Sequence, residues 1–397
     1  MKMEDCVNRW RLVELKKIFV TIKKRNLLRV EERVLNGRVA AMTGLEEMTI
    51  KEYELPKAEK GQVILEIIKA NICGSDIHMW EGKHVLKNHV LGHEMVGKIV
   101  EIGEGITTDY AGQSIAVGDR VVPVYYLTCQ KCQACLSGHF NLCENGSDFM
   151  GQISEKHPHF TGGFGTHYFI HANQYFYKVP DNIPDNVAAG SNCGIAQIMY
   201  AMDNSNLKVN DYFVIQGAGG LGLFASAIAK TMGANVIVID GVDTRLTEAK
   251  KFGADFVINM KEYDTVDKRI ARINEITNGH GADVVLEVTG IPKAFDEGLR
   301  IVRMGGTYLE LGNVLVDESL NTTIVPGLIT RKCITIKGIL RYQPWYLHKT
   351  LLFLEKYHDK YPFSSLTDRT YSLDEVQLAL EKAASKEVQR AIIEPNK

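Results

Sequence analysis

The sequence is almost free of net charge. Its 397 residues include 46 Lys and Arg against 48 Asp and Glu, a formal charge of −2 at pH 7. Such a balance gives no reason to expect nucleic acid or a membrane surface as a partner. No apolar run approaches the roughly 18 residues of a membrane span, and the apolar stretch 18–22 is too short for a signal-peptide core. These absences predict a cytoplasmic protein.

Cysteine is present eight times, and 45% of the residues are hydrophobic. In the reducing cytoplasm, clustered cysteines are metal ligands more often than disulfide partners. At roughly 150 residues per domain, the length predicts two domains or three. The chain should therefore bury large cores and hold metal.

The N-terminal extension, Met1–Asn36, is basic. Leu12, Leu15, Phe19 and Ile22 recur at helical spacing. We expect a helix laid on the protein or on a neighbouring subunit. A start codon assigned too far upstream and contact with an anionic partner are the alternatives. Cys6 is expected to be a free thiol.

The stretch from Asn71 to Gly105 carries the candidate catalytic metal site. Cys73 follows a predicted strand, His93 and Glu94 lie in Gly-His-Glu, and Cys193 lies far downstream. Zinc favours thiolate and imidazole, and a catalytic zinc keeps three protein ligands and one exchangeable position. We predict Cys73, His93 and Cys193 as ligands, with Glu94 behind the metal or replacing water on it. Alone, Cys73 could equally be a small buried hydrophobe.

Ser75 and His78 follow Cys73 by two and five residues. A hydroxyl bound to zinc becomes more acidic, so its proton must leave. Ser75 can accept that proton, and His78 can pass it to solvent, because imidazole exchanges protons near neutral pH. The alternatives are a turn-capping serine and an exposed loop histidine.

A second cysteine set lies between these residues: Cys129, Cys132, Cys135 and Cys143. Four thiolates complete the zinc tetrahedron and leave no open position, which predicts a structural site. An iron–sulfur cluster is the chemical alternative, since it also takes four thiolates.

The third motif is glycine-rich and follows a predicted strand, Tyr212–Gln216. It comprises Gly217, Gly219, Gly220, Leu221 and Gly222, and it opens a predicted helix. Glycines at this spacing allow the tight turn, the approach of a pyrophosphate and the packing of helix on strand. The phosphates would then meet the helix N-terminus, where unpaired N–H groups favour anions.

Asp240 ends the next predicted strand, where an acid should bind the adenosine ribose and repel a 2′-phosphate, so NAD is expected over NADP. Asp240 could instead cap a helix starting near Arg245. Later strands end at Thr289-Gly290 and Gly312-Asn313, whose backbones should line the nicotinamide pocket. Alternating strands and helices predict a doubly wound parallel sheet.

Taken in order, these motifs resemble the zinc-dependent alcohol dehydrogenases of the medium-chain dehydrogenase/reductase superfamily, from about Gly37 to the C-terminus. The resemblance implies an α/β fold: a Rossmann doubly wound parallel sheet (194–337) plus a β-rich GroES-like catalytic domain (37–193 and 338–397). It implies two zinc ions per chain, the roles given above for each residue, and a homodimer or homotetramer. It also places Arg245 beside the ribose and Arg390 at the pyrophosphate, although Arg390 could be a surface residue. Gly74 replaces an arginine common in the family.

The function predicted is hydride transfer between an alcohol and NAD+. The alcohol would be a secondary alcohol, a polyol or an amino alcohol. One alternative is a reductase of an aldehyde or ketone using NADH or NADPH, and a second is a non-catalytic binding protein. Arg341 and Lys332 hint at an anionic substrate, and Tyr125, Tyr126, Met79 and Trp80 should shape the pocket. The segment Glu144–Phe160 is expected to be a solvated loop or a lid.

Overall fold

The computed structural model describes residues 35–83, 89–146, 152–367, 369–388 and 390–397. The predicted N-terminal helix and Cys6 lie outside these residues. Asn36, which we assigned to the extension, is already the first residue of a strand. None of the described helices is long and apolar enough to cross a bilayer.

The described strands fall into a hairpin and two sheets. They are β1 (Asn36–Gly44), β2 (Glu47–Glu54), β3 (Val63–Asn71), β4 (Glu94–Ile102), β5 (Arg120–Pro123), β6 (His167–Ile170), β7 (Phe176–Lys178), β8 (Tyr212–Gln216), β9 (Asn235–Asp240), β10 (Phe256–Asn259), β11 (Ala282–Glu287), β12 (Val302–Glu310), β13 (Thr335–Gly338), β14 (Arg369–Ser372) and β15 (Ala391–Glu394).

The described helices are mostly short connections between these strands. They are α1 (Gly74–Trp80), α2 (Gln133–Leu136), α3 (Asp185–Ala189), α4 (Ala196–Ser205), α5 (Gly220–Thr231), α6 (Asp243–Lys251), α7 (Val266–Ile276), α8 (Lys293–Ile301), α9 (Pro326–Lys332), α10 (Trp345–Tyr357) and α11 (Val376–Ala384). A π-helical turn, Ser191–Ile195, leads into α4.

The catalytic part is built on a seven-stranded sheet with the path β14-β15-β3-β4-β5-β7, and β6 pairs with β3. β15 returns from the far end of the chain to pair with β3 at Asn71, two residues before Cys73. The C-terminal segment therefore lies next to the first candidate ligand.

The second sheet has six parallel strands in the order β10-β9-β8-β11-β12-β13. Numbered from β8, this is the 3-2-1-4-5-6 order of a doubly wound dinucleotide-binding fold. Successive residues of β8 alternate between two cores: Phe213 and Ile215 pack on one face, and Val214 packs on the other. Helices cover both faces, so the strands read as continuous apolar runs. The predicted α/β fold class is confirmed.

The order of the strands reverses between β8 and β11, which are hydrogen-bonded neighbours: from β8 the chain builds the sheet outward in one direction, and from β11 in the other. In open α/β sheets, ligands bind in the crevice outside the carboxyl ends of the strands at such a switch point. The glycine-rich turn follows β8, and Thr289 follows β11 with one residue between. A methyl group on Gly217 would lie 2.8 Å from Thr289 Cγ2, so the two turns touch.

Candidate active site and metal centres

Four potential metal donors converge at the end of β3 and the start of β4. One donor atom from each of Cys73, His93, Glu94 and Cys193 lies within 4.8 Å of the others. Cys193 Sγ is 3.2 Å from His93 Nε2. The two residues are separated by 100 positions in the chain. The structure therefore brings together all four residues that the sequence assigned to the open metal site.

Asp76 orients two of these donors, and sequence reasoning gave it no role. Its carboxylate accepts the backbone N–H of Cys73 (2.9 Å) and of Gly92 (3.1 Å), and Nδ1 of His93 donates to it at 3.1 Å. Asp76 is fully buried. With Nδ1 bonded in this way, Nε2 of His93 faces the two thiols, as in the carboxylate–histidine–metal arrangement. The available signal was Asp76 at the third position of a short helix that starts after Cys73.

Asn192 locks the turn that presents Cys193, and it was also missed. Its side-chain amide donates to the carbonyl oxygens of His93 (2.8 Å) and Pro123 (2.9 Å). The π-helical turn is thereby tied to β4 and β5 at once. A lone Asn in Ser-Asn-Cys carries no periodic signal, so only the tertiary contact reveals this role.

The charges of this cluster suit a metal. A hydrogen bond from Cys193, helped by His93 and opposed by burial, lowers the pKa of the Cys73 thiol well below its ordinary value. The same bond and burial raise the pKa of Cys193. Burial lowers the pKa of His93, but Asp76 and Cys73 outweigh it and raise that pKa overall. The thiols and the imidazole thus share protons at close range, and a zinc ion bound to them would take the place of those protons.

Glu94 forms an ion pair with Arg390, which the sequence left either at the pyrophosphate or on the surface. The Arg390 guanidinium donates to the Glu94 carboxylate, and its side chain is 15% exposed. Burial raises the pKa of Glu94 to about 7 in spite of this partner. A methyl group on Gly220 would lie 3.8 Å from Arg390 Nη1. Arg390 therefore lies between the metal donors and the first residue of α5, and it is not a surface residue.

Ser75 and His78 lie on α1, directly after Cys73. Ser75 Oγ is 3.4 Å from His93 Nε2. His78 is three residues further along the same helix, so both side chains lie on one face. The His78 side chain is 43% exposed, with Nδ1 3.9 Å from Glu81. Ser75 thus lies at the metal donors, and His78 reaches solvent. Because His78 lies in a helix, it is not the loop histidine considered as the alternative.

The four-cysteine lobe is a compact thiol cluster. The sulfur atoms of Cys129, Cys132, Cys135 and Cys143 all lie within 4.8 Å of one another, and Cys132 Sγ is 4.0 Å from Cys143 Sγ. Zinc–sulfur bonds of about 2.3 Å in a tetrahedron imply sulfur separations of about 3.8 Å. Backbone N–H groups lower the pKa of Cys129 to about 6. The residues present therefore fit a closed S4 zinc site.

The glycine-rich turn has the shape that phosphate binding requires. Gly217 has φ +110°, and a methyl group on Gly222 would lie 2.0 Å from the Gly217 carbonyl oxygen. These two glycines allow the tight turn and the close packing of α5 on β8. Gly219, by contrast, has open space where its side chain would be. Gly219 and Gly220, followed by Leu221, form the open N-terminus of α5.

Asp240 ends β9 and holds the glycine-rich turn. Its carboxylate accepts the N–H of Ala218 and of Val242, both at 2.8 Å. The helix that follows begins at Asp243 with Val242 as its N-cap, so the expectation that Asp240 might cap a helix near Arg245 is wrong. Arg245 Nη1 lies 4.0 Å from Asp240, and its side chain is 46% exposed.

Thr289 and Gly312 follow neighbouring parallel strands, β11 and β12, and lie side by side. A methyl group on Gly312 would be 2.9 Å from the Thr289 nitrogen. Both turns are tied to Glu287, which is fully buried and was not identified from the sequence. An acid directly after the apolar run Val284–Leu286 was the signal that could have found it.

Tyrosines wall one side of the metal donors. The ring of Tyr125 lies 5.2 Å from that of His93, and Tyr126 and Tyr342 pack edge to face on it. Arg341 lies 5.2 Å from the Tyr126 ring centroid. Met79 and Trp80 are buried in the core of the catalytic part.

Lys332 does not support an anionic substrate. Its ammonium group donates to the carbonyl oxygens of Leu299, Arg300 and Val302. These bonds cap the end of one helix and tie it to α9, so the lysine has a structural partner.

Residues 152–160 of the loop 144–160 pack down on the β1–β2 hairpin. The His159 ring stacks on Tyr53 with centroids 4.2 Å apart, and Lys51 pairs with Glu155. Ser154 is 2% exposed and Phe160 is fully buried. This part is therefore half buried on the hairpin, whereas Ile153 and residues 155–157 are exposed to solvent as expected. Residues 147–151 lie outside the described part of the chain.

Comparison with known proteins gives the same picture. Residues 59–181 match the alcohol dehydrogenase GroES-like domain, and residues 220–356 match the zinc-binding dehydrogenase domain. L-threonine 3-dehydrogenase of Pyrococcus horikoshii is 34% identical over 316 residues, which cover 76% of this chain and 82% of that protein. Sorbitol dehydrogenase of Bacillus subtilis is 31% identical over 373 residues, which cover 91% and 98%.

A solved structure is equally similar. The alcohol dehydrogenase of Thermotoga maritima superposes with a TM-score of 0.84 at 32% sequence identity, covering 91% of this chain and 100% of that one. The similarity extends over both sheets and thus over both groups of motifs.

Proposed function

The chain belongs to the zinc-dependent alcohol dehydrogenases of the medium-chain superfamily, and we propose that it oxidises one carbinol of a polyol or amino alcohol. It is an oxidoreductase with zinc and NAD as cofactors. The observation that carries the proposed site is the convergence of Cys73, His93 and Cys193 from three separate segments. When bound by these residues, zinc would polarise a substrate hydroxyl, and NAD+ at the second sheet would accept the hydride.

Each residue of the open set has its own task in this proposal. Cys73, His93 and Cys193 hold the metal, and Asp76 fixes the ring of His93. Ser75 accepts the proton of the substrate hydroxyl and His78 releases it to solvent. Glu94, held by Arg390, stays beside the donors as a carboxylate that can replace a departing ligand. The cysteines of the lobe hold a second zinc that has no open position.

We place the adenine half of the cofactor on the second sheet. Gly217, Gly219, Gly220, Leu221 and Gly222 cradle the pyrophosphate at the N-terminus of α5, with Arg390 facing it. Asp240 binds the ribose hydroxyls, and its negative charge disfavours the 2′-phosphate of NADP. Arg245 lies beside the same ribose. Thr289 and Gly312 receive the nicotinamide end.

The substrate class comes from the relatives and from the wall of the site. The relatives are named for L-threonine, an amino alcohol, and for sorbitol, a polyol. Arg341, close to the tyrosines that flank His93, could bind a carboxylate on an amino-acid substrate. A substrate that carries several hydroxyl groups or a carboxylate therefore fits this site better than a simple alkanol does.

A substrate panel tests this proposal. NADH formation should be followed with sorbitol, xylitol, L-threonine, 2-butanol and ethanol on the zinc-loaded enzyme. We expect the highest kcat/KM with a polyol or with threonine. If threonine is preferred, Arg341→Gln should raise its KM about tenfold while leaving sorbitol unchanged, since a charged hydrogen bond is worth roughly 1.5–3 kcal/mol. Activity confined to ethanol and 2-butanol would contradict the proposed class.

The alternative is that the enzyme acts mainly as a reductase of the corresponding ketone. The same residues serve both directions, because the proton relay and the hydride path are reversible. Rates with the ketone and NADH, and with NADPH, should be measured beside the oxidation. A kcat/KM ratio far in favour of reduction at neutral pH would establish this alternative.

We further propose that two or four copies assemble in the cytoplasm. The edge strand β13 is largely exposed, with Ile336 37% accessible, and Val316 and Val325, in the segment between β12 and β13, are 97% and 52% accessible. An exposed edge with apolar neighbours is a template for pairing with a second copy. We also propose the domain limits given above, 194–337 for the dinucleotide-binding domain; the strands of its sheet run from 212 to 338. Sedimentation equilibrium showing a monomer would refute the assembly.

A further inference from the structure

Polar side chains cross the carboxyl ends of three neighbouring strands in the second sheet. Gln216, Glu287 and Glu310 are register partners on β8, β11 and β12. Residues in register lie on the same face of a sheet. Glu287 is fully buried and Gln216 is 4% exposed. Burying a carboxyl group costs free energy unless it is hydrogen-bonded, so the partners of these side chains must be identified.

Glu287 binds both turns that follow its own strand and the next one. One carboxylate oxygen accepts the backbone N–H groups of Thr289 and Gly290 and the Thr289 hydroxyl. The other accepts the N–H of Gly312 and the side-chain amide of Asn313, each at 3.2 Å. A single side chain thus gathers five donors from two loops.

Glu310 completes the arrangement from the neighbouring strand. One of its oxygens accepts the backbone N–H of Asn313 at 3.2 Å and the side-chain amide at 3.0 Å, and the other accepts the Tyr308 hydroxyl at 3.2 Å. Its carboxyl group lies beside that of Glu287 in register, and both accept the side-chain amide of Asn313. Tyr308 faces both carboxyl groups as well as Glu297 of α8, and Glu297 is paired with Arg269.

We propose that Glu287 and Glu310 are positioning residues that together hold the Thr289–Gly290 and Gly312–Asn313 turns in the shape that receives the nicotinamide. The inference rests on the proposed placement of the nicotinamide at these turns. A methyl group on Gly312 would lie 2.4 Å from a Glu287 oxygen and 2.5 Å from the Gly290 nitrogen. The turns therefore lie directly on the carboxylate, and their spacing depends on it.

Glu287 and Glu310 also make the spacing of the two turns sensitive to pH. Burial, together with the neighbouring Glu310 carboxyl group, raises the pKa of Glu287 from 4.5 to about 7. Above this pKa, Glu287 carries a buried negative charge beside the Glu310 carboxyl group, which burial disfavours. Because the pKa is raised on folding, the stabilising contribution is full below pH 4.5 and is lost as pH rises through about 7. The nicotinamide end should then be held less well at high pH.

The experiment compares NADH with ADP-ribose, which lacks the nicotinamide. Dissociation constants for both are measured by fluorescence titration and calorimetry on the zinc-loaded enzyme at about pH 6 and about pH 8.5, on either side of the raised pKa. Glu287→Ala should weaken NADH about tenfold or more, because buried donors are left unpaired, and change ADP-ribose less than about twofold. Glu310→Gln keeps a neutral hydrogen-bonding side chain beside Glu287. It should therefore weaken NADH less than Glu287→Ala does, and it should reduce the ratio of the NADH dissociation constants at the two pH values about threefold relative to wild type.

Glu262→Gln, an exposed change on the same sheet's periphery, is the matched control and should behave as wild type. Equal weakening of NADH and ADP-ribose by Glu287→Ala would overturn the inference, as would an unaltered pH dependence in Glu310→Gln. If Glu287→Ala does not fold, Glu310→Gln decides alone. Failure of wild type to bind ADP-ribose would instead contradict the proposed cofactor site.

Discussion

The two metal centres are built in opposite ways. The lobe takes four thiols from residues 129–143, a single stretch held by local backbone N–H groups. The open set takes two thiols, an imidazole and a carboxylate from β3, β4 and the turn before α4. The closed set satisfies a metal completely, whereas the open set leaves room for a substrate and needs further residues to hold its shape. One centre should govern stability and the other chemistry.

The largest effect should come from breaking the open set at its most distant member. Cys193→Ser should reduce turnover about 10³-fold or more, because the metal contributes several kcal/mol of transition-state stabilisation. Zinc content, measured by atomic absorption, should fall towards one ion per chain. Cys333→Ser changes an exposed cysteine outside both sets and should leave both values unaltered. Two zinc ions and full turnover in Cys193→Ser would contradict the proposed ligand set.

Next comes the residue that orients the ligands without touching the metal. Asp76→Asn should reduce zinc affinity and activity about 10–100-fold, since partners of ligating histidines have effects of that size. Zinc release to a chelator and kcat should be measured together. Asp267→Asn, on an exposed helix surface, provides the control. An Asp76→Asn variant that loses stability but keeps its zinc affinity would show a purely structural role.

The proton path should give a smaller effect. His78→Ala should lower kcat about tenfold at neutral pH, a modest part of what acid–base groups can supply. Imidazole buffer should restore much of the rate, because a diffusible base can replace a half-exposed histidine. Ser75→Ala should lose more activity and should not be rescued, because the serine lies at the donors. Absence of rescue in His78→Ala would remove that residue from the path.

The closed lobe should affect turnover least. Cys135→Ser should leave kcat of the folded enzyme within about twofold, yet lower the melting temperature by roughly 5–10 °C, as expected for a loss of about 3 kcal/mol. Differential scanning calorimetry and zinc content measure the two consequences. A large drop in kcat with an unaltered melting temperature would mean that the comparison between the centres is wrong.

The sequence predicted the residues of some regions of the molecule and missed those of others. The lobe and the glycine-rich turn were predicted because their residues are close in the chain and spacing alone fixes their chemistry. Asp76, Asn192 and Glu287 were missed. Each is an ordinary polar residue whose role depends on what lies opposite it after folding. Lys332 was misread for the same reason, since its three carbonyl partners lie at the end of α8 and the start of β12.

By itself the sequence determined the parallel sheet, the phosphate turn and the four-thiol lobe, because periodicity and short-range spacing act within a few residues. Only the tertiary structure decided that Asp76 and Asn192 hold the ligands His93 and Cys193 in place, that Arg390 faces Glu94, and that one buried acid ties two turns together. These contacts join residues that are distant in the chain, except for Glu287 and Thr289. Their geometry is set by the packing of strands and helices, which no local pattern encodes.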